Sequence, residues 1–350
     1  NIVDDVTGVF PEWNLIGNPY PSYINVNDFL THEVSSSPVV TNLDLMDLNS
    51  RAIYGYDATS SGGYWTIYNL STPINTLIAP GQGFFVSADD TKVALYDMEF
   101  TASMKRSGNS DDFIVGRQNN GHLGHIQLSI SDVDSNYATD IYFNLNASAG
   151  LDPGYDAAMF GGVAPAFSVY SHLVEDNSGI PMAIQALGQS DLSYVTIPLG
   201  IHVSQGISLT VHLSQFDLPP TIDVYLEDNA TNTFTLLNNN TYVFTPTETL
   251  NSTGRFFLRF EDRALNTADE DLSNITVYAN NDTEKVVIRG HLDHGAYCNI
   301  YDIQGRVIIS KHLDYKNLYN ALDVSQLETG VYVVQLLTKN SSKVVKVVIK

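Results

Sequence analysis

Chemistry in this sequence would have to come from a few oxygen-bearing and imidazole side chains. The run Asp132-Val133-Asp134-Ser135-Asn136, with Asp140, places oxygen ligands at positions 1, 3, 5 and 9 of a calcium-loop spacing. It departs from that pattern at position 6, where Tyr137 stands for glycine, and at position 12, where Phe143 stands for glutamate. Asp152 and Asp156 would complete such a site from a neighbouring loop. The competing reading is a solvated turn between strands ending at Ile130 and starting at Ile141. Calcium is the one cofactor the sequence brings into view.

Other constellations carry less. His122 and His125 are three apart, as are His291 and His294. On an extended strand such residues point to opposite faces and make poor metal pairs. No His-Glu-x-x-His segment and no Gly-x-Ser-x-Gly elbow occurs. Gly81-Gln82-Gly83 has no helix after it, and the lone Cys298 reads as a small core residue of an apolar strand. With 39 carboxylates, some pair will lie at glycosidase separation by chance, which nominates none. The expectation is a protein without catalytic residues. Tyr54, Tyr56, Tyr64, Trp65 and Tyr68 cluster. They would serve either as a platform for sugar rings or as alternating core residues.

The elements that must position these residues are strands. Helical periodicity is almost missing, and short Val-, Ile-, Thr-, Tyr- and Phe-rich segments recur between Gly, Asn, Asp and Pro clusters. The fold class expected is all-β: tandem β-sandwich modules, immunoglobulin-like or jelly-roll, ending in a small seven-stranded sandwich. The 350 residues suffice for two or three cores, and 20 Tyr and 15 Phe argue against disorder. A single cysteine excludes an intrachain disulfide, and no apolar run reaches the length of a membrane-spanning helix. Starting at Asn1 without Met or a signal segment, the chain is expected to be a mature fragment or the trailing part of a longer protein.

Charge separates the modules. The net charge is −22, which disfavours nucleic acid and anionic lipid as partners. Residues 281–350 carry 9 basic and 7 acidic side chains, against 8 and 32 in the rest. A module over 1–110 contains two turn-forcing phrases, Trp13-Asn14-Leu15-Ile16-Gly17-Asn18-Pro19-Tyr20-Pro21-Ser22 and Ile78-Ala79-Pro80-Gly81-Gln82-Gly83-Phe84-Phe85-Val86. Asn25–Leu30 opens a short helix there, with Asn27 or Asp28 as its cap. A sandwich over 111–263 holds eight or nine strands, among them one with Ile126, Leu128 and Ile130 on one face. Residues 264–274 read as a polar, acidic linker. Strands of the last module, 275–350, are expected at Ile275–Ala279, Lys285–Arg289, Ala296–Tyr301, Val307–Leu313, Tyr319–Asp323, Val331–Thr338 and Lys343–Ile349. In the last of these Val345, Val347 and Ile349 share one face, and Lys346 and Lys350 the other.

Three elements of this tail come in order: Tyr301-Asp302-Ile303-Gln304-Gly305-Arg306-Val307-Ile308, then Leu322-Asp323-Val324-Ser325-Gln326-Leu327-Glu328-Thr329-Gly330-Val331-Tyr332-Val333-Val334, then Lys343-Val344-Val345-Lys346-Val347-Val348-Ile349-Lys350. The run resembles the type A C-terminal sorting domain of the type IX secretion system of Bacteroidetes bacteria. The two phrases of the first module resemble segments found upstream of such domains in large surface proteins. The second module resembles the sandwich that precedes them in gliding and adhesion proteins. The resemblance implies export to the cell surface or the medium. It implies recognition by an outer-membrane shuttle barrel that collects folded cargo from the translocon, and a cut by a sortase ahead of the tail, in 264–274. Recognition is placed on Gly305, Gly330, Val331, Tyr332, Lys346, Val348 and Lys350, with Gly305 and Gly330 also needed for turns. The modules ahead of the tail are expected to bind a surface or a glycan without catalysis. Two alternatives stay open: stalk and label of an enzyme whose catalytic domain lies upstream, or a calcium-dependent carbohydrate-binding module.

Overall fold

Short segments rich in β-branched and aromatic residues build the strands. In the computed structural model, which describes residues 2–4, 9–57, 64–108, 122–262, 272, 275–281, 283–292, 296–338 and 342–349, the fold is all-β with a few short helices. Two compact units result: Asn1–Val224 with Leu237–Glu261, and Tyr225–Leu236 with Asp262–Lys350.

The first unit begins with an antiparallel sheet of Trp13–Gly17 (β1), Ile53–Asp57 (β2), Tyr64–Tyr68 (β3) and Gly83–Ser87 (β4), in the order β1-β4-β2-β3. Its strands are apolar on both sides. Ile53, Phe84 and Val86 pack under the helix Val26–Leu30, whose Phe29 and Leu30 are wholly buried. The side chain of Asn25 caps that helix by accepting from the Asp28 N–H at 2.9 Å. The cap is thus Asn25 rather than Asn27 or Asp28, because the preceding strand runs up to Asn25 and leaves it extended.

A larger sheet follows: Gly124–Ser131 (β5), Asn136–Phe143 (β6), Ser168–Ser171 (β7), Met182–Leu187 (β8), Tyr194–Val203 (β9), Leu209–Asp217 (β10), Tyr242–Phe244 (β11) and Leu250–Asp262 (β12). The order is β12-β9-β7-β8-β6-β5-β10-β11, antiparallel except for β6 and β8. β7 and β8 meet at Ser171 and Met182, a corner where one layer turns into the other. The layers then face each other, with Phe143 of β6 against Phe260 of β12 at 5.0 Å between ring centroids. Ile126, Leu128 and Ile130 of β5 lie inside, as their spacing predicts.

The modules expected over 1–110 and 111–263 do not separate; both fall in the first unit. The reason is the second apolar face of the β1–β4 sheet. Tyr54, Trp65, Ile67 and Phe85 pack against Tyr142, Ala157, Phe160 and Ile184 of the larger sheet and its loops. Tyr54 is wholly buried and its hydroxyl donates to the Ala158 carbonyl at 2.8 Å. This shared aromatic packing joins the two pieces into one core.

The second unit contains, among its described residues, seven strands after residue 262: Thr276–Asn280 (β13), Lys285–Arg289 (β14), Tyr297–Tyr301 (β15), Val307–His312 (β16), Tyr319–Asp323 (β17), Gly330–Leu337 (β18) and Ser342–Ile349 (β19). They form two sheets, β13-β14-β17 and β16-β15-β18-β19. Val286, Ile288 and Leu322 of one sheet and Cys298, Ile300, Val334, Leu336, Val347 and Ile349 of the other share a single core. The hairpin Ile222–Asp228 and Thr233–Leu236, expected in the middle module, groups from Tyr225 on with this unit. There Glu227, 2% exposed, receives a charge-assisted hydrogen bond from Arg289, which also lies over the Phe234 ring. Most of the linker 264–274 lies outside the described residues; Leu272 is buried in the core of the second unit.

Candidate functional site

In the second unit the last strand, β19, ends its sheet and pairs with β18 in register from Gly330↔Ile349 to Leu337↔Ser342. Side-chain alternation splits it. Val347 and Ile349 enter the core, and Val345 packs against it. Val344, Lys346 and Val348 face outward, with the two valines 62% and 47% exposed. Across the same outer face lie Val331, Val333, Gln335 and Leu337 of β18, and Tyr297, Asn299 and Tyr301 of β15. The Tyr301 hydroxyl donates to Gln335 Oε1 at 2.8 Å. The result is a largely apolar open face with Lys346 in its outermost strand. Lys343, missed by the sequence reading, shares the core-side parity. Its Nζ donates to the Leu272 and Ile275 carbonyls at 2.7 and 2.5 Å, tying the start of the unit to its final strand.

The residues expected to carry recognition divide accordingly. Val331, Lys346 and Val348 lie together on the open face, and Lys350 lies outside the described residues. Tyr332 belongs to the core: it is 9% exposed and its hydroxyl donates to the Glu328 carbonyl at 2.9 Å. Gly305 sits in the turn between β15 and β16 with φ +80, held by Asp302, whose Oδ1 accepts the Gln304 and Arg306 N–H groups. That conformation requires glycine. Gly330 does not share the requirement. It opens a strand, has no left-handed φ, and an added Cβ would meet its nearest neighbour at 3.6 Å.

A second arrangement lies in the first unit, on the outer side of the larger sheet. A cleft of about 590 Å³ opens between the β3 strand and the outward side chains of β5, β6 and β10. Two cross-strand rows floor it. Tyr142, His125 and Asp217 form one, and Asp140, Gln127 and Gln215 the next. His125 Nε2 lies 2.7 Å from Asp140 Oδ1 and its ring stacks on Tyr142 at 4.1 Å. Gln127 is held on both sides: its amide nitrogen donates to Asp140 Oδ1 at 3.2 Å, and Ser214 Oγ donates to its Oε1 at 2.8 Å. Ser214 is the extra residue of a β-bulge in β10, which aims its hydroxyl at Gln127. Trp65 and Phe160, stacked at 4.0 Å, line a wall. His122 lies at the edge; burial, aided by neighbouring His125, holds its imidazole below its ordinary pKa, and its Nδ1 has no hydrogen-bond partner.

The calcium spacing is not brought together. Asp132 Oδ1 accepts the N–H groups of Asp134 and Ser135, closing a turn on itself. Asn136 and Asp140 lie on β6 and line the cleft, with Asp140 bound to His125 and Gln127. Asp152 accepts from Ser148, while Asp156 is fully buried and accepts the N–H groups of Ala186 and Asp152, its carboxyl pushed up to about 7 by burial. Among the described residues no group of three or more His, Cys, Asp or Glu side chains is placed to hold a metal ion. His122 and His125, expected on opposite faces, both face Tyr142 with ring centroids 5.7 Å apart. The strand begins at Gly124, so the alternation does not extend back to His122. The aromatic cluster splits: Tyr54 is core, Trp65 and Tyr68 line the cleft, Tyr56 is exposed, and the side chain of Tyr64 lies outside the described residues. Gln127, Gln215, Asp217 and Phe160 were not singled out from sequence. The polar positions alternating with Ile126 and Leu128 were the available signal.

No described helix is long and apolar enough to cross a membrane. Comparison with protein families matches residues 276–350 to a secretion system C-terminal sorting domain and residues 3–260 to a domain of unknown function (DUF8693). No curated protein matches the chain. Among solved structures, one described as "Biofilm associated protein - BSP domain" is similar at 13% identity and a TM-score of 0.21, over 42% of this chain and 27% of its own length. The chain belongs to the DUF8693 family and, by its sorting domain, is a substrate of the type IX secretion system that ends up secreted or attached to the cell surface.

Proposed function

We propose that the chain is a non-catalytic binding protein of the cell exterior, delivered there by docking of its second unit on the outer-membrane shuttle barrel. The observation that carries the docking reading is the position of β19 at the end of its sheet, with Val344, Lys346 and Val348 facing outward. An edge strand offers backbone groups and alternate side chains to a partner together. Its isolated lysine keeps such an edge from pairing with copies of itself. A folded sorting unit with one apolar face suits a receptor that collects cargo after folding. Purified shuttle barrel should retain the full chain and release it when Lys346→Glu and Val348→Thr are combined; undiminished retention would remove the edge-docking reading.

Binding rather than catalysis is supported by the composition of the cleft. Its polar floor is fixed by its own hydrogen bonds, with Asp140 bound to His125 and Gln127, which suits a preformed binding surface. Burial pushes the Cys298 thiol up to about 12, which leaves it unreactive. Hydrolysis of glycoside, ester or peptide substrates by the purified chain, abolished by Asp140→Asn, would contradict this reading. A sortase cut within 264–274 follows from the same account. Mass spectrometry of surface molecules tests it, and a mature form retaining residues 275–350 would count against it.

A further inference from the structure

We infer that the cleft of the first unit binds an uncharged oligosaccharide, hydrogen-bonded by the Asp140–Gln127–Gln215 row and packed against Trp65. The inference rests on the reading of this unit as a binding module and gives its ligand a chemical class.

The argument starts from the floor. Outward positions along one strand repeat every second residue, roughly 7 Å apart, and neighbouring strands lie about 4.8 Å apart. Two rows over three strands therefore tile a patch of roughly 7 by 10 Å with donors and acceptors. That is broader than one carboxylate or phosphate would need, and it matches a ligand with hydroxyls spread along its length. Amide and carboxylate side chains suit hydroxyls because a hydroxyl both donates and accepts. Gln127 is already oriented by Asp140 and Ser214, so little side-chain freedom remains to be lost on binding.

The walls narrow the choice. The described lining contains two aspartates and two histidines but no lysine or arginine, so an anionic sugar, phosphate or sulfate would meet like charge. A purely apolar ligand would strip water from both polar rows without replacing it. A pyranose has apolar C–H faces and polar edges, which fits the half-buried Trp65 ring on one side and amides on the other; Phe160, held between Trp65 and Trp13, backs that ring from behind. The size, about 590 Å³, lies in the range of small-molecule sites. The unpartnered Nδ1 of His122 supplies an independent sign, since buried polar atoms of a finished site are normally paired. A ligand hydroxyl would complete it.

The test is calorimetric titration of the full chain with neutral β-glucan, mannan and chitin oligosaccharides, alongside uronate and sulfated oligosaccharides. At least one neutral sugar should bind saturably, and no charged one should bind better. Gln127→Ala and Gln215→Ala are the first variants, because both side chains lie outside the sandwich core. Each should weaken binding by about tenfold, the loss of one oriented hydrogen-bonding group. Trp65→Phe, which retains an aromatic ring on Phe160, should weaken it less. Failure of every neutral sugar to bind, preference for a charged one, or indifference to Gln127→Ala overturns the inference. The amount of each variant outside the cell is measured in the same strains. Normal export with failed sugar binding sinks this inference alone, whereas sugar binding by a chain that is exported without its sorting domain sinks the docking reading alone.

Discussion

The last strand allows folding and docking to be separated, because its two faces carry different side chains. Val347 is 4% exposed and packs in the core shared by both sheets of the second unit. Val347→Ala removes two carbons at about 0.8 kcal/mol each, and the space left behind raises the cost to about 2 kcal/mol. A domain of ordinary stability, about 5 kcal/mol or more, remains almost wholly folded after that loss. Lys346 and Val348 face outward, so Lys346→Glu with Val348→Thr should change stability by only about 0.5 kcal/mol. The two variants thus predict opposite patterns. Urea unfolding followed by circular dichroism reads stability, and the ratio of external to periplasmic protein on quantitative immunoblots reads export. Val347→Ala should be clearly less stable yet exported at near-normal levels. The outer-face double variant should be as stable as the parent and several-fold less exported. Normal export of the double variant, or a larger export defect in Val347→Ala, would refute the assignment of recognition to the outer face.

Other positions give independent checks. Arg289→Ala should destabilise the second unit by about 2 kcal/mol in chemical denaturation, through loss of its charge-assisted hydrogen bond to Glu227 and its contact with the Phe234 ring. Gly305→Ala should cost about 1 kcal/mol through its left-handed φ, whereas Gly330→Ala should be nearly neutral; thermal melts of both distinguish a turn requirement from a strand position. Asp156 and Glu261 should each make the first unit less stable as pH rises from about 4 to about 7, against the opposite contribution of His122 and His172, whose burial lowers their pKa. Burial raises both Asp156 and Glu261 to about 7, so across that window the folded state holds protons the unfolded state has released. Each group contributes at most about 1.4 kcal/mol per pH unit there, and the slope should flatten above pH 7. Asp156→Asn should remove its share of the slope; a pH series of melts in which the variant and the parent run parallel would contradict that cause.

The sorting unit was legible almost strand by strand. Lys285–Arg289 and Tyr319–Asp323 lie where alternation puts them, and the other five differ by a residue at one or both ends. Local chemistry explains the success. Asp302 and Gly305 fix the turn between β15 and β16, and the valine alternation of β19 fixes its faces without information from afar. The cleft was not legible, because it joins Trp65, His125, Asp140, Phe160 and Asp217 from five separate stretches. Period two says that His125 and Gln127 share a face, but not what covers it. The boundary near residue 110 failed for a related reason. Gly83-Phe84-Phe85-Val86 is apolar on both faces, the mark of a strand buried from two sides, and that feature predicts one packed unit where composition alone predicts two.

Delivery by the C-terminal unit is the claim on which the rest depends, and removing that unit tests it most directly. A chain lacking Ile275–Lys350, expressed in a strain with a working type IX system, is followed by fractionation into periplasm, outer membrane and medium. The account predicts a folded first unit that accumulates in the periplasm. Appearance of the shortened chain outside the cell at the level of the full chain would contradict it.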